Sequence, residues 1–300
     1  MVFVLCFVLV FIFLPVLKVM VRKTKAKKTL PPPPLLLIFL PNNDAFEKLN
    51  IFRSVWAGRK VILDKVNLEI HRNFGSRGRL PLLDLEHPLS AALIREFYSN
   101  LSIHTDDSNI HFVKTWIRGE EFVITLEVVA IALKVPLVQQ PVYPYTKIPP
   151  IDNIMSLLIG TTISWGTDPR ITIHDLTKLN YLFFRISCHN IWPISHIYTI
   201  PIERCAFLYT LITDAPMSFP TLFIRSLVEV YRSSAKSHGL FFPIFIHRIL
   251  LDLGLEDFPT SKHIHIISPI GASFLSQSAA QLKASSKRPR VESSTGELAQ

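Results

Sequence analysis

The sequence predicts a mainly α fold: an irregular multi-helix domain with one small β-hairpin, an apolar N-terminal helix and a disordered C-terminal tail. Three observations carry this. Apolar residues make up 49% of the 300 residues against 18% charged, ample material for a buried core. Gly is scarce at 10 and Pro abundant at 22, which argues against a Gly-rich all-β fold and for many short elements. Apolar residues recur at helical spacing in segment after segment, with strand-like alternation confined to one place.

The net charge of +9 belongs to the ends. Residues 1–30 contribute +6 and residues 283–300 contribute +2, leaving +1 over 31–282. Phosphate binding needs basic side chains gathered on one face, and a nearly neutral body does not demand one. Three cysteines (Cys6, Cys188 and Cys205) are too few and too scattered for a disulfide framework, so the body suits a reducing compartment.

Residues 1–22 read as a candidate transmembrane or anchor helix. Val2 to Leu17 is an unbroken apolar run interrupted only by Pro15, and 2–21 is long enough to insert in a membrane. Arg22, Lys23, Lys25, Lys27 and Lys28 follow, a membrane-flanking basic cluster that places the body in the cytosol. A cleaved signal peptide would carry its charge before the run. A third reading is a stretch that never functions in a membrane. Residues 23–45 form a basic, Pro-rich linker whose four prolines at 31–34 favour an extended spacer. The short apolar run Leu35 to Leu40 reads as a strand or linker edge.

The body spans 46–275. Phe46 to Gly58 is weakly amphipathic, Val61 to Ile70 fits a strand or a short helix, and Phe74 to Arg79 reads as a loop. Leu89 to Leu101 shows one helical face. Ile110 to Ile117 and Glu121 to Ile124 flank Arg118-Gly119-Glu120, which predicts a hairpin with Gly119 at positive φ. Thr125 is the expected N-cap of a helix stopped by Pro136. Residues 136–150 form a long connection. Five more helices are expected: Ile151 to Ile159; Ile173 to Cys188, capped by Thr172; Ile202 to Thr213, with Pro201 in its first turn; Thr221 to Ser234; and Pro243 to Leu253, closed by Gly254. From residue 276 to 300 the composition turns polar, as in a disordered tail.

No motif sets residues aside for chemistry. Asp106, Asp107, Glu120, Glu121, Asp168, Asp175 and Asp214 fall in turns or at helix ends, where caps and solvation explain them, rather than as a carboxylate set for two metal ions. Cys188, His189, His196 and Cys205 invite a zinc reading, but adjacent Cys188 and His189 do not easily share one ion. His263 and His265 alternate with Ile and read as a solvent face. Neither a phosphate-binding loop nor a G-x-S-x-G elbow occurs. No catalytic, cofactor-binding or metal-binding residue is assigned and no cofactor is expected. Lys283, Lys287, Arg288 and Arg290 form a basic cluster suited to nuclear import or nucleic-acid contact. Two localisations follow: membrane with a cytosolic body, or nucleus.

Three blocks resemble a known family. Leu93-Ile94-Arg95-Glu96-Phe97-Tyr98-Ser99-Asn100-Leu101 is followed by Val113 to Ile117, Arg118-Gly119 and Leu133-Lys134-Val135-Pro136. His189-Asn190-Ile191-Trp192-Pro193-Ile194-Ser195-His196 precedes Arg204-Cys205-Ala206-Phe207-Leu208. Leu240-Phe241-Phe242-Pro243 leads to Leu253-Gly254-Leu255. In order and spacing they resemble the plant transposon protein domain. The resemblance implies a mobile-element domain with no established activity and no catalytic residues. The apolar leader departs from that family's pattern, as does the lack of a long acidic extension after the body. Three functions are therefore weighed: an interaction or structural module with an unknown protein partner, a nucleic-acid-binding accessory protein acting weakly through its basic ends, and a degenerate transposase-like enzyme.

Overall fold

Four side-chain caps set helix starts along the chain: Ser90, Thr125, Thr177 and Ser218 each accept a hydrogen bond from the backbone N–H three residues on. The computed structural model describes residues 53–62, 68–85, 90–143, 145, 147–161, 171–194, 198–213, 215–233, 239–255 and 269–271. The expected anchor helix, the linker and the C-terminal tail lie outside these residues.

Roughly half of the described residues are helical. The helices are α1 (Leu68–Ser76), α2 (Ala91–Ser99), α3 (Leu126–Leu133), α4 (Ile151–Ile159), α5 (Lys178–Ile186), α6 (Ile202–Ile212), α7 (Phe219–Arg232) and α8 (Pro243–Asp252). A 3₁₀ turn at Leu80–Leu82 follows α1, and a π turn at Ser187–Ile191 extends α5. Strands β1 (Ser102–Thr105), β2 (His111–Ile117) and β3 (Glu120–Ile124) form an antiparallel sheet in the order β1-β2-β3. Strands β4 (Ile171–Thr172) and β5 (Thr199–Ile200) make a second, two-stranded sheet.

Helices α2 and α7 cover the inner face of the three-stranded sheet, α3 packs against α7 and α8, and α4 and α5 pack against α6. One continuous core joins them, with Phe74, Phe97, Tyr98, Phe183, Phe207 and Phe223 fully buried. Each large aromatic covers much area, so a Gly-poor chain of short helices can still bury a sufficient core. Phe219, Phe223, Phe242 and Phe245 meet at ring-centroid distances of 5.0 to 6.2 Å and knit α7 to α8.

The hairpin, the Thr125 cap and the helix at 151–159 match their sequence expectations. Both central turn residues are left-handed, Arg118 at φ 54° and Gly119 at φ 88°, the geometry whose twist suits a tight hairpin. Gly254 ends α8 at φ 96° as expected.

Several segments differ from expectation, each for a tertiary reason. Residues 53–58 are extended, not helical: the Trp56 N–H donates to the Leu240 carbonyl at 2.9 Å and the Leu240 N–H to the Ser54 carbonyl at 2.8 Å. The stretch 74–76 closes α1 instead of forming a loop, because Ile70 and Phe74 lie one turn apart and are both fully buried. The helix expected from Ile173 starts at Lys178, capped by Thr177. Thr172 instead pairs with Thr199, and Asp175 accepts from the Thr172 N–H at 2.7 Å and its hydroxyl at 2.9 Å. That local turn competes with a helix start. Pro201 stands at the N-cap of α6 rather than in its first turn. Strand β1 was not expected; it is short and only half-buried, so its alternation is weak.

Candidate functional site

The blocks that carry the family resemblance supply several buried or half-buried polar side chains, and their first use is architectural. In the first block, Glu96 Oε1 accepts from the Arg118 N–H at the hairpin turn at 2.8 Å. Asn100 Nδ2 donates to the Trp116 carbonyl at 2.7 Å. The Tyr98 hydroxyl donates to the Phe241 carbonyl at 2.9 Å, and Thr115 Oγ1 donates to the Phe97 carbonyl at 2.9 Å. One turn of α2 thus docks the sheet on one side and the entrance to α8 on the other.

The second block closes a strap. Residues 53–62 run across the body, and Asn190, fully buried in the π turn, clamps them. Asn190 Oδ1 accepts from the Arg59 N–H at 2.9 Å, while Nδ2 donates to the carbonyls of Arg59 at 2.8 Å and Leu82 at 3.2 Å. The strap passes so close that a Cβ at Gly58 would meet Leu85 Cδ1 at 2.5 Å. Its far end is fixed by Arg53, only 1% exposed, which donates to the carbonyls of Val230 at 3.2 Å and Ser233 at 2.5 Å. A buried guanidinium at the C-terminal end of α7 thus adds a donor to the Val230 carbonyl, which the capping Ser233 N–H also reaches at 3.3 Å, and supplies one to the carbonyl of Ser233 itself.

Arg204 lies with its guanidinium carbon 3.5 Å from the centroid of Trp192 and donates to the Trp192 carbonyl at 2.5 Å. Burial lowers its pKa to about 10. Around it Tyr143, Trp192 and Phe207 form an aromatic box with centroids 5.1 to 6.0 Å apart. The cation that such a box attracts is already supplied from within the chain.

Cys188 and Cys205 are buried free thiols whose pKa values burial raises to about 12, so neither is a ready thiolate at neutral pH. His189 is driven down to about 3, first by burial and then by Arg59 and Arg185. Neutral at physiological pH, it is not a standing cation. Among the described residues no group of three or more His, Cys, Asp or Glu is placed to hold a metal ion. His196, His263, His265, Asp168 and Asp214 lie outside them.

Asp106 caps its own turn, accepting from Ser108 at 2.9 Å and Ile110 at 2.8 Å, and Glu121 pairs with Lys114 at 3.4 Å. The acids singled out in the sequence and described here are therefore spread among turns and a strand, not gathered. One cleft of about 990 Å³ has an apolar floor including Val61, Leu133 and Leu251, with Lys134, Arg248, Asp84 and Asp252 around it. Arg248 is held by the carbonyls of Pro81 at 3.1 Å and Asp84 at 2.5 Å.

The basic residues predicted as contact sites, Arg22, Lys23, Lys25, Lys27, Lys28, Lys283, Lys287, Arg288 and Arg290, lie outside the described residues, as does the candidate insertion segment 2–21. Among the described residues no helix is long and apolar enough to cross a membrane. Sequence reading missed the strap and its clamp, because Arg53 and Asn190 look like ordinary surface residues until chain segments 131 to 180 positions apart are brought together.

Glu96 shows how tightly the blocks are packed. Burial raises its pKa above the ordinary 4.5, opposed by the Arg118 N–H and charge. Between 4.5 and the raised value the folded chain binds more protons than the unfolded one, so stability falls as pH rises through that window. Glu96→Gln keeps an acceptor for Arg118 and removes the ionisation. Its pH–stability curve is expected to lose that fall, readable as urea midpoints from pH 4 to 8.

The described residues make a mainly helical body with a small sheet, its motif side chains turned inward. The sequence profile of the family described as "Putative plant retrotransposon-related domain" matches residues 76–255, and the chain belongs to that family. No curated protein and no solved structure matches it.

Proposed function

We propose that this plant mobile-element-derived chain is a non-catalytic interaction module. The observation that carries the reading is where the motif side chains go: Glu96, Tyr98, Asn100 and Asn190 all bond to backbone of distant segments. A catalytic constellation would leave such groups converging on open space. Here they are consumed in holding elements together, and what faces outward is surface suited to contact. The full chain, incubated with DNA or RNA and Mg²⁺ or Mn²⁺, is expected to cleave neither above a protein-free blank. Metal-dependent cleavage abolished by one Asp or Glu substitution would replace this reading with the degenerate-enzyme one.

The charge at the two ends favours one second reading, a nucleic-acid-binding accessory protein. That reading requires salt-sensitive binding, indifferent to sequence, that disappears when residues 283–290 are deleted.

A further inference from the structure

We infer that His189 is a built-in acid release for the strap: a proton taken up there sets a third cation against Arg59 and Arg185 and loosens the hold on residues 53–62. The placement of these groups carries the inference. His189 is half-buried in the π turn, directly before the clamp residue Asn190. The strap crosses its backbone so closely that a Cβ at Gly58 would lie 3.3 Å from the His189 carbonyl oxygen. Arg59 comes next in the strap, and Asn190 holds it by both its N–H and its carbonyl. Arg185 stands four residues before His189, one turn earlier on the helix that the π turn extends.

The surroundings favour the neutral ring on every side. The two charges that act on it are both positive, Arg59 from the strap and Arg185 from α5. Among the described residues, the recess beside it is lined by Gly58, Leu85, Phe242 and Phe245, none of which titrates. The ring atom Nε2 is buried and has no hydrogen-bond partner. A neutral imidazole tolerates that, whereas an imidazolium would carry there a charged N–H without an acceptor. Arg59 cannot draw back from the new charge while Asn190 grips its backbone, so the repulsion is relieved by opening the clamp. Burial first, then the two guanidinium groups, lowers the His189 pKa from 6.5 to about 3. The unfolded chain therefore takes up a proton below pH 6.5 that the folded chain refuses down to about pH 3. Stability from this site is complete above 6.5 and is lost progressively as pH falls through that window. At pH 5, about 1.5 units below the unfolded value, the loss is about thirtyfold in the folding equilibrium.

The test is urea unfolding of the full chain at pH 8 and pH 5, read as folding equilibrium constants. His189→Gln is expected to remove about thirtyfold from the change between the two pH values, whatever constant offset the substitution adds. His189→Phe does the same, while His71→Gln, at an exposed position on α1, leaves the wild-type change in place. Should neither His189 variant fold, a nuclear magnetic resonance titration of the wild-type ring gives the same answer, with His189 still neutral at pH 5. Amide hydrogen exchange locates the effect: protection of the Arg59 and Trp56 N–H groups, which bond to Asn190 and Leu240, falls between pH 8 and pH 5 in the wild type and not in His189→Gln. The inference is overturned by a His189 ring that titrates near 6.5 in the folded chain, or by His189 variants that keep the whole acid loss. Strap protection that does not change with pH overturns it as well.

Discussion

A chain restricted to residues 76–255, the stretch that matches the family, is expected to show no cooperative unfolding transition, whereas residues 53–271 retain one. The difference is the strap together with α1, whose Ile70 and Phe74 are fully buried. Without the strap the body loses Trp56, Ser54 and Val61 as backbone partners of Leu240 and Leu83, both Arg59 contacts of Asn190, and the Arg53 bonds to Val230 and Ser233. It also uncovers core that Ala57 and Val61 seal and deprives Leu240 and Asn190 of partners while leaving them in the interior. An unsatisfied buried polar group costs about 1–3 kcal/mol, and burying a Val-sized side chain contributes about 1.5–3 kcal/mol. The combined loss is on the order of 10 kcal/mol, comparable to the about 5–15 kcal/mol by which a domain is stable. Urea titration followed by far-UV circular dichroism reads the outcome. A sigmoidal transition in 76–255 with the steepness of 53–271 would show that the strap and α1 are dispensable.

Asn190→Asp is expected to be the most damaging single substitution, at about 3–5 kcal/mol. The amide Nδ2 now donates to two carbonyls, at 2.8 and 3.2 Å, inside a site only 1% exposed. A carboxylate there sets oxygen against oxygen and buries a charge. The sign with pH follows. Such a group has its folded pKa raised, so the penalty is full at neutral pH and is relieved as pH falls and protonation restores a donor. Asn190→Ala loses the same bonds without adding charge, so its cost should be smaller and flat with pH. Urea midpoints for both variants at pH 5 and pH 8 make the comparison; equal, pH-independent losses would mean that the clamp geometry is wrong.

The elements legible in advance share one property: their signals are local. Ile151 to Ile159 reads as a helix from its own spacing, Thr125 from the apolar run it precedes, and the hairpin from Gly119 between two alternating strands. The failures share the opposite property. Residues 53–58 have weak helical spacing, and their fate is set by Leu240, nearly two hundred positions away. Thr172 and Thr177 are equally good caps in isolation; the pairing of Thr172 with Thr199 decides between them. The first motif block was legible as a family mark, yet nothing in Glu96, Tyr98 and Asn100 shows that they reach two separate backbone segments, the hairpin and the entrance to α8, until the helix is docked.

The amino-acid order alone was enough for a mainly helical class, a charge-poor body between basic ends, and membership of a plant retrotransposon-related family, because composition, periodicity and motif order are properties of neighbours along the chain. The fold alone decided that the motif side chains serve as clasps, that residues 53–62 run as an extended strap, and that Trp116 looks outward. Those outcomes depend on which buried carbonyls need a donor and which sheet face a helix reaches first, and such demands exist only once distant segments meet.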